Sequence, residues 1–171
     1  MNWYMLVLRV VHVGFGVFWV GTLFFLVFFL EPTVREAGPD AAKVMQGLVR
    51  RRLMNVVPIA AALTVLSGIL LIERVSGGFQ SEWLRSSTGM ALSIGGGAAI
   101  VAFGLGMLGM RPAQMRSMRL AAAMPGMTDP AERDRTSREI QALRTRARTA
   151  GRWIALFLMI AVVAMASGRY V

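Results

Sequence analysis

His12 is the only histidine in the chain, and it stands in "RVVHVGFGVFWVG", a run of valine, glycine and aromatics from residue 9 to residue 21. Imidazole is the commonest metal ligand, and a polar side chain inside lipid is a candidate functional site by default. On a helix, His12, Gly16 and Trp19 are spaced four and three apart and share one face, which Leu23 continues. Gly16 lies one turn below the ring and leaves a gap there. A neutral imidazole above a gap, on a helix in lipid, can hold a b-type haem: the ring nitrogen ligates iron and the glycine makes room for the macrocycle. Side chains expected at the same level are Ser67, Met90 and Met165. A His–Met pair could ligate haem or a copper ion instead, because thioether suits Cu(I). A second histidine ligand has to come from a second copy or a different protein. The competing reading is structural, in which the lone imidazole hydrogen-bonds a backbone carbonyl or a serine across the bundle.

Other chemistry is thinly supplied. With no cysteine there is no disulfide framework, thiolate metal site or cysteine nucleophile. The apolar blocks hold no Asp, Glu or Lys to relay protons, and Glu31 and Glu73 stand at block ends. There is no GxSxG, P-loop or metal motif, so the chain reads as non-enzymatic unless it works through a bound cofactor. Four helices without buried charge also make a poor alternating-access transporter.

The elements that must position His12 follow from hydropathy. The chain has 171 residues, 56% apolar and 16% charged, with a mean hydropathy of +0.57. A soluble domain is about half apolar and about a quarter charged. Long apolar blocks alternate with charged segments, and four of them suit a bilayer that needs about 20 helical residues per span. These blocks are 3–30, 53–72, 88–110 and 153–168. The reading is an all-α polytopic membrane protein, a single domain over 1–171 built as a four-transmembrane-helix bundle. The first block is expected to end at Glu31-Pro32 and the third before Arg111-Pro112, with Pro58 as a tolerated kink in the second. The first block is longer than a signal peptide's apolar core and lacks a small-residue cleavage site, so it is read as retained.

The net charge of +10 follows topology and does not point to nucleic acid. The two inter-block segments hold Arg35, Lys43, Arg50, Arg51 and Arg52, then ten arginines from Arg111 to Arg152; the other side holds Arg9, Arg74, Arg85 and Arg169. Fifteen against four predicts cytoplasmic long loops in a bacterial inner membrane, with both termini periplasmic. The loops themselves read as helical. Asp40 is an N-cap candidate for the segment leading into span two. Asp129 is a cap candidate, with Pro130 at the first helical position and Glu132 in the first turn. From Pro130 no breaker occurs until Gly151, so span four should continue inward for roughly 30 Å. With a shorter extension of span three and a turn at "PGMTD", residues 111–151 form a cytoplasmic helical hairpin. That hairpin is either a solvated basic element touching anionic lipid or a docking arm for a partner protein.

Span three carries Gly89, Gly95, Gly96, Gly97, Gly104, Gly106 and Gly109. Small residues at such spacing let helix backbones approach closely, and they could also carve a slot for a flat cofactor. The depth of His12 depends on what marks the interface. Arg9 would put the ring one turn deep, and Trp3 with Tyr4 would put it roughly 12 to 14 Å deep.

"HVGFGVFWVG" resembles the His-x6-Trp-Val/Leu-Gly opening of the copper-resistance protein D superfamily. More closely, the chain is similar to a group of short four-helix bacterial membrane proteins related to it. "RRLMNVVPIAAALTVLSGILL" fits their second span, and "WLRSSTG" and the terminal "MASGRY" fit the same group. The superfamily includes proteins associated with copper uptake. The HemJ-type protoporphyrinogen oxidases are distantly similar, with a span-one histidine implicated in haem binding, and His12 is the position that corresponds. Their pattern also uses a lysine in a later span, and here no span contains one.

The leading expectation is haem b held through His12, with Gly16, Trp19, Met90 and Met165 around it. The protein would then be a redox or haem-handling component, or a subunit of a respiratory or photosynthetic assembly. The alternatives are a structural accessory subunit with no cofactor, and a copper-handling membrane protein. The partners expected are the bilayer and either further copies of the chain or a larger membrane complex.

Overall fold

The computed structural model describes residues 3–38, 41–168 and 170. Among them lie six helical runs, α1 (Trp3–Glu36), α2 (Ala41–Arg50), α3 (Leu53–Val75), α4 (Ser81–Leu84), α5 (Ser87–Gly126) and α6 (Pro130–Ser167), and no strand. α1, α3, α5 and α6 are long and apolar enough to cross a membrane. Their outward faces carry large apolar side chains, among them Val17 (70% exposed) and Leu108 (81%). Apolar surface on that scale needs lipid around it, and the protein is membrane-embedded.

The helices that carry spans one and three run on past both proline pairs, in α5 as the expected extension of span three. α1 passes through Glu31-Pro32 to Glu36, and α5 passes through Arg111-Pro112 to Gly126. In each case the turn just before the proline pair is π-helical, Leu26–Leu30 in α1 and Leu105–Met110 in α5. A proline lacks the amide hydrogen that closes an α-turn, and its ring crowds the carbonyl four residues back. A wider i→i+5 turn relieves that crowding without breaking the helix. α6 is one helix of 38 residues, roughly 57 Å at the usual rise. Asp129 caps it by accepting from the Ala131 amide at 3.0 Å, and Pro130 opens its first turn. Asp40, the expected cap of α2, lies outside the described residues.

The four long helices pair as α1 with α3 and α5 with α6, with thinner contact between the pairs. A shared core joins them: Trp19 and Leu23 of α1, Ala61 of α3, Ala102 of α5, and Ile154, Ala155 and Leu158 of α6. Alanine on α3 and α5 lets the larger side chains of α1 and α6 fill the middle at close helix spacing. The tail of α5 continues along the first half of α6, where Ala113 and Ser117 of α5 and Thr136 and Ile140 of α6 are buried and Arg116 is paired with Glu139. Glu31 pairs with Arg148, tying α1 to α6 at the same end of the bundle. At the other end the Arg74 guanidinium lies over the Tyr4 ring, 5.2 Å from its centroid, joining the start of α1 to the end of α3. His12 is eight residues along α1 from that contact, ~12 Å down the axis.

Candidate functional site at the α1/α3 seam

The His12 ring lies against the backbone of α3. Its Nδ1 is 2.8 Å from the Thr64 carbonyl oxygen and 3.5 Å from Ser67 Oγ. A carbonyl only accepts, so Nδ1 carries a hydrogen and donates it. Ser67 Oγ spends its own hydrogen on the Leu63 and Thr64 carbonyls, and the Thr64 hydroxyl donates to Ala60. The polar atoms of this seam are therefore satisfied within two turns of α3. In the neutral ring, Nε2 is left with a lone pair. Nε2 has no partner among the described contacts, and the side chain as a whole is half-buried.

Gly68 makes this arrangement possible. A Cβ there would sit 2.8 Å from His12 Cε1 and 3.1 Å from Nδ1, closer than real side chains come. One turn further along the same seam the roles reverse. The space beside Gly16 is taken by Thr64, whose Cγ2 lies 3.4 Å from where a Cβ would be. His12 and Gly16 on α1 thus interlock with Gly68 and Thr64 on α3, each helix alternating a side chain and a space four residues apart.

Of the residues singled out from sequence, the structure brings His12, Gly16 and Ser67 to one seam. Gly16 faces Thr64 across the seam, with the Thr64 methyl at ordinary van der Waals distance from where a Cβ would be. Trp19 is 4% exposed and belongs to the shared core. A cavity of about 100 Å³ beside it, lined by Leu23, Pro58, Ala102 and Met110 among others, is below the roughly 300–1,000 Å³ of small-molecule sites. Met165 lies in the α5/α6 seam, its Cγ 2.8 Å from where a Cβ of Gly95 would be. Met90 is 51% exposed near the start of α5. Neither thioether takes part in the contacts of His12, and among the described residues no group of three or more His, Cys, Asp or Glu gathers to hold a metal. The seam residues that the α1 spacing did not assign are Thr64 and Gly68. Their signal was the run Thr64, Ser67, Gly68, three small or polar residues at helical spacing in an apolar span.

No protein-family model matches the chain, and neither a curated protein nor a solved structure shows significant similarity to it.

Proposed function

We propose that this is a four-span protein of a bacterial inner membrane in which His12 would hold haem b. The observation that carries the reading is the hydrogen bond from Nδ1 to the Thr64 carbonyl. Ligating histidines characteristically donate their other ring hydrogen in this way, which fixes the tautomer and ring orientation and raises ligand basicity. The chain's own part is thus to anchor the imidazole through Nδ1, in the space that Gly68 leaves, so that Nε2 keeps its lone pair. Bound there, haem supplies one-electron chemistry. His12 is the chain's only histidine, so a second imidazole ligand would come from outside it. A second copy or another membrane protein supplies the remaining ligand. The fifteen-to-four division of basic residues supports a cytoplasmic location for the paired extension of α5 and α6, with both termini periplasmic.

A second reading rests on the same seam. Nδ1 of the imidazole is bonded to the Thr64 carbonyl and the Thr64 and Ser67 hydroxyls to the α3 backbone, which is sufficient for a structural lock in an accessory subunit without cofactor. The visible spectrum of protein purified in mild detergent, oxidised and reduced, separates the two. The haem reading expects a Soret band, present as isolated or after adding haemin, that His12→Ala abolishes while the helical circular dichroism remains. A colourless wild type that leaves added haemin unshifted overturns it and supports the structural lock. Bound copper with no Soret band would favour the copper-handling alternative.

A further inference from the structure

Beside the α5/α6 pair, at the arginine-rich end of the bundle, an open groove of about 690 Å³ runs along one flank of α6. Its walls are of two kinds. Leu105 and Gly109 come from the π-turn of α5, and Trp153 lies at the apolar end of the α6 flank; towards the charged half of α6 the lining becomes Thr149, Arg146 and Thr145. On α6 these residues fall at three- and four-residue steps on a single face. The same face continues through Arg138 and Arg135, both exposed. Neither the Arg146 guanidinium nor the two threonine hydroxyls has a hydrogen-bond or ion-pair partner among the described residues. The neighbouring Arg148 and Arg116, by contrast, are paired with Glu31 and Glu139. Within one groove, then, unpaired cationic and hydroxyl donors stand just beyond an aromatic and aliphatic surface.

We infer that this groove holds one anionic phospholipid. Its phosphate is bound by Arg146, Thr145 and Thr149, and its acyl chain lies over Trp153, Leu105 and Gly109. The charge sign selects the headgroup. Arginine offers a forked donor to phosphate oxygens, and basic pockets between membrane helices on the arginine-rich side suit anionic lipid headgroups. The order of the lining selects a lipid over a free anion. The donors lie towards the charged half of α6, and Trp153 lies where its hydrophobic half begins, so headgroup and chain are met in the sequence in which a bilayer presents them. A π-turn in α5 shapes the wall at Leu105 and Gly109, and Gly109 brings α5 within 3.8 Å of Ala150 Cβ, measured from where its own Cβ would be. The inference rests on membrane embedding alone and is independent of the His12 reading.

Trp153 reports occupancy directly. The full-length protein is reconstituted in vesicles of phosphatidylcholine doped with brominated phosphatidylglycerol or, separately, brominated phosphatidylcholine. The Trp153 signal is taken as the difference between wild type and Trp153→Phe. The expected result is stronger quenching by the anionic lipid, with Arg146→Gln reducing that preference about fivefold, the worth of one basic residue at an anionic surface. Thr149→Val should weaken it in the same direction. Arg119→Gln, an exposed arginine off the groove, should leave it unchanged. Equal quenching by both lipids overturns the site. So does an Arg119→Gln loss as large as that of Arg146→Gln, which would reduce the effect to general surface charge.

Discussion

The α1/α3 seam and the α5/α6 seam are both closed at a glycine, and they differ in what occupies the missing side chain. At Gly68 the occupant is the His12 imidazole, hydrogen-bonded to Thr64 on the facing helix. At Gly95 it is the Met165 thioether chain, with the Ala161 carbonyl close behind, and no hydrogen bond crosses between these side chains. A thioether stem adapts to the space it is given. An imidazole anchored through Nδ1 has one orientation and one register. The α5/α6 seam therefore sets a distance between helices, and the α1/α3 seam also aims a chemical group.

Perturbations graded by size can break or sharpen that contrast, read as unfolding free energy in mixed micelles by far-ultraviolet circular dichroism. Leu158→Ala removes a fully buried side chain from the core that both seams share. It should cost about 2–5 kcal/mol and loosen both pairs together. A loss confined to α5/α6, seen by cross-linking across each seam, would mean that the pairs are independent units. Next come Gly68→Ala and Gly95→Ala, each placing a Cβ 2.8 Å from a neighbour and costing about 1–3 kcal/mol of overpacking. Their stabilities should fall alike, but only Gly68→Ala should displace the His12 imidazole resonances in nuclear magnetic resonance spectra.

Smaller still is His12→Ala, which deletes one interhelical hydrogen bond. The expected loss is ~0.6–1.7 kcal/mol, accompanied by looser α1/α3 cross-linking and an unchanged α5/α6 seam. The smallest effect belongs to Gly97→Ala on α5, where a Cβ would meet nothing within 4 Å. Relief of glycine's helix penalty should make it neutral or stabilising by up to about 1 kcal/mol. A clear destabilisation would reveal a partner pressed on that face.

Much of this molecule is readable one residue or one window at a time. Apolar length alone marks four spans, because the bilayer imposes a thickness that each helix meets by itself. The Asp129-Pro130 start of α6 is equally local, since a cap acts on the amides that follow it. The shared face of His12, Gly16 and Trp19 follows from helical geometry. The same reasoning gave the helical extension beyond Pro112 and missed the continuation of α1 past Pro32 and the π-turn before each proline. A proline breaks an α-turn by rule, and whether a π-turn absorbs it depends on what the helix beyond it packs against.

Only the tertiary structure decided what stands opposite that face. Inside lipid the surroundings are as apolar as the core, so hydropathy carries no sign of which side of a span meets protein. Interhelical register carries that information. It put Thr64 into the space beside Gly16, turned Nδ1 toward a carbonyl and sent Met165 to the other seam. The types and spacing of the residues determined that an imidazole would sit within an apolar helix. The pairing of α1 with α3 determined which of its nitrogens remains available.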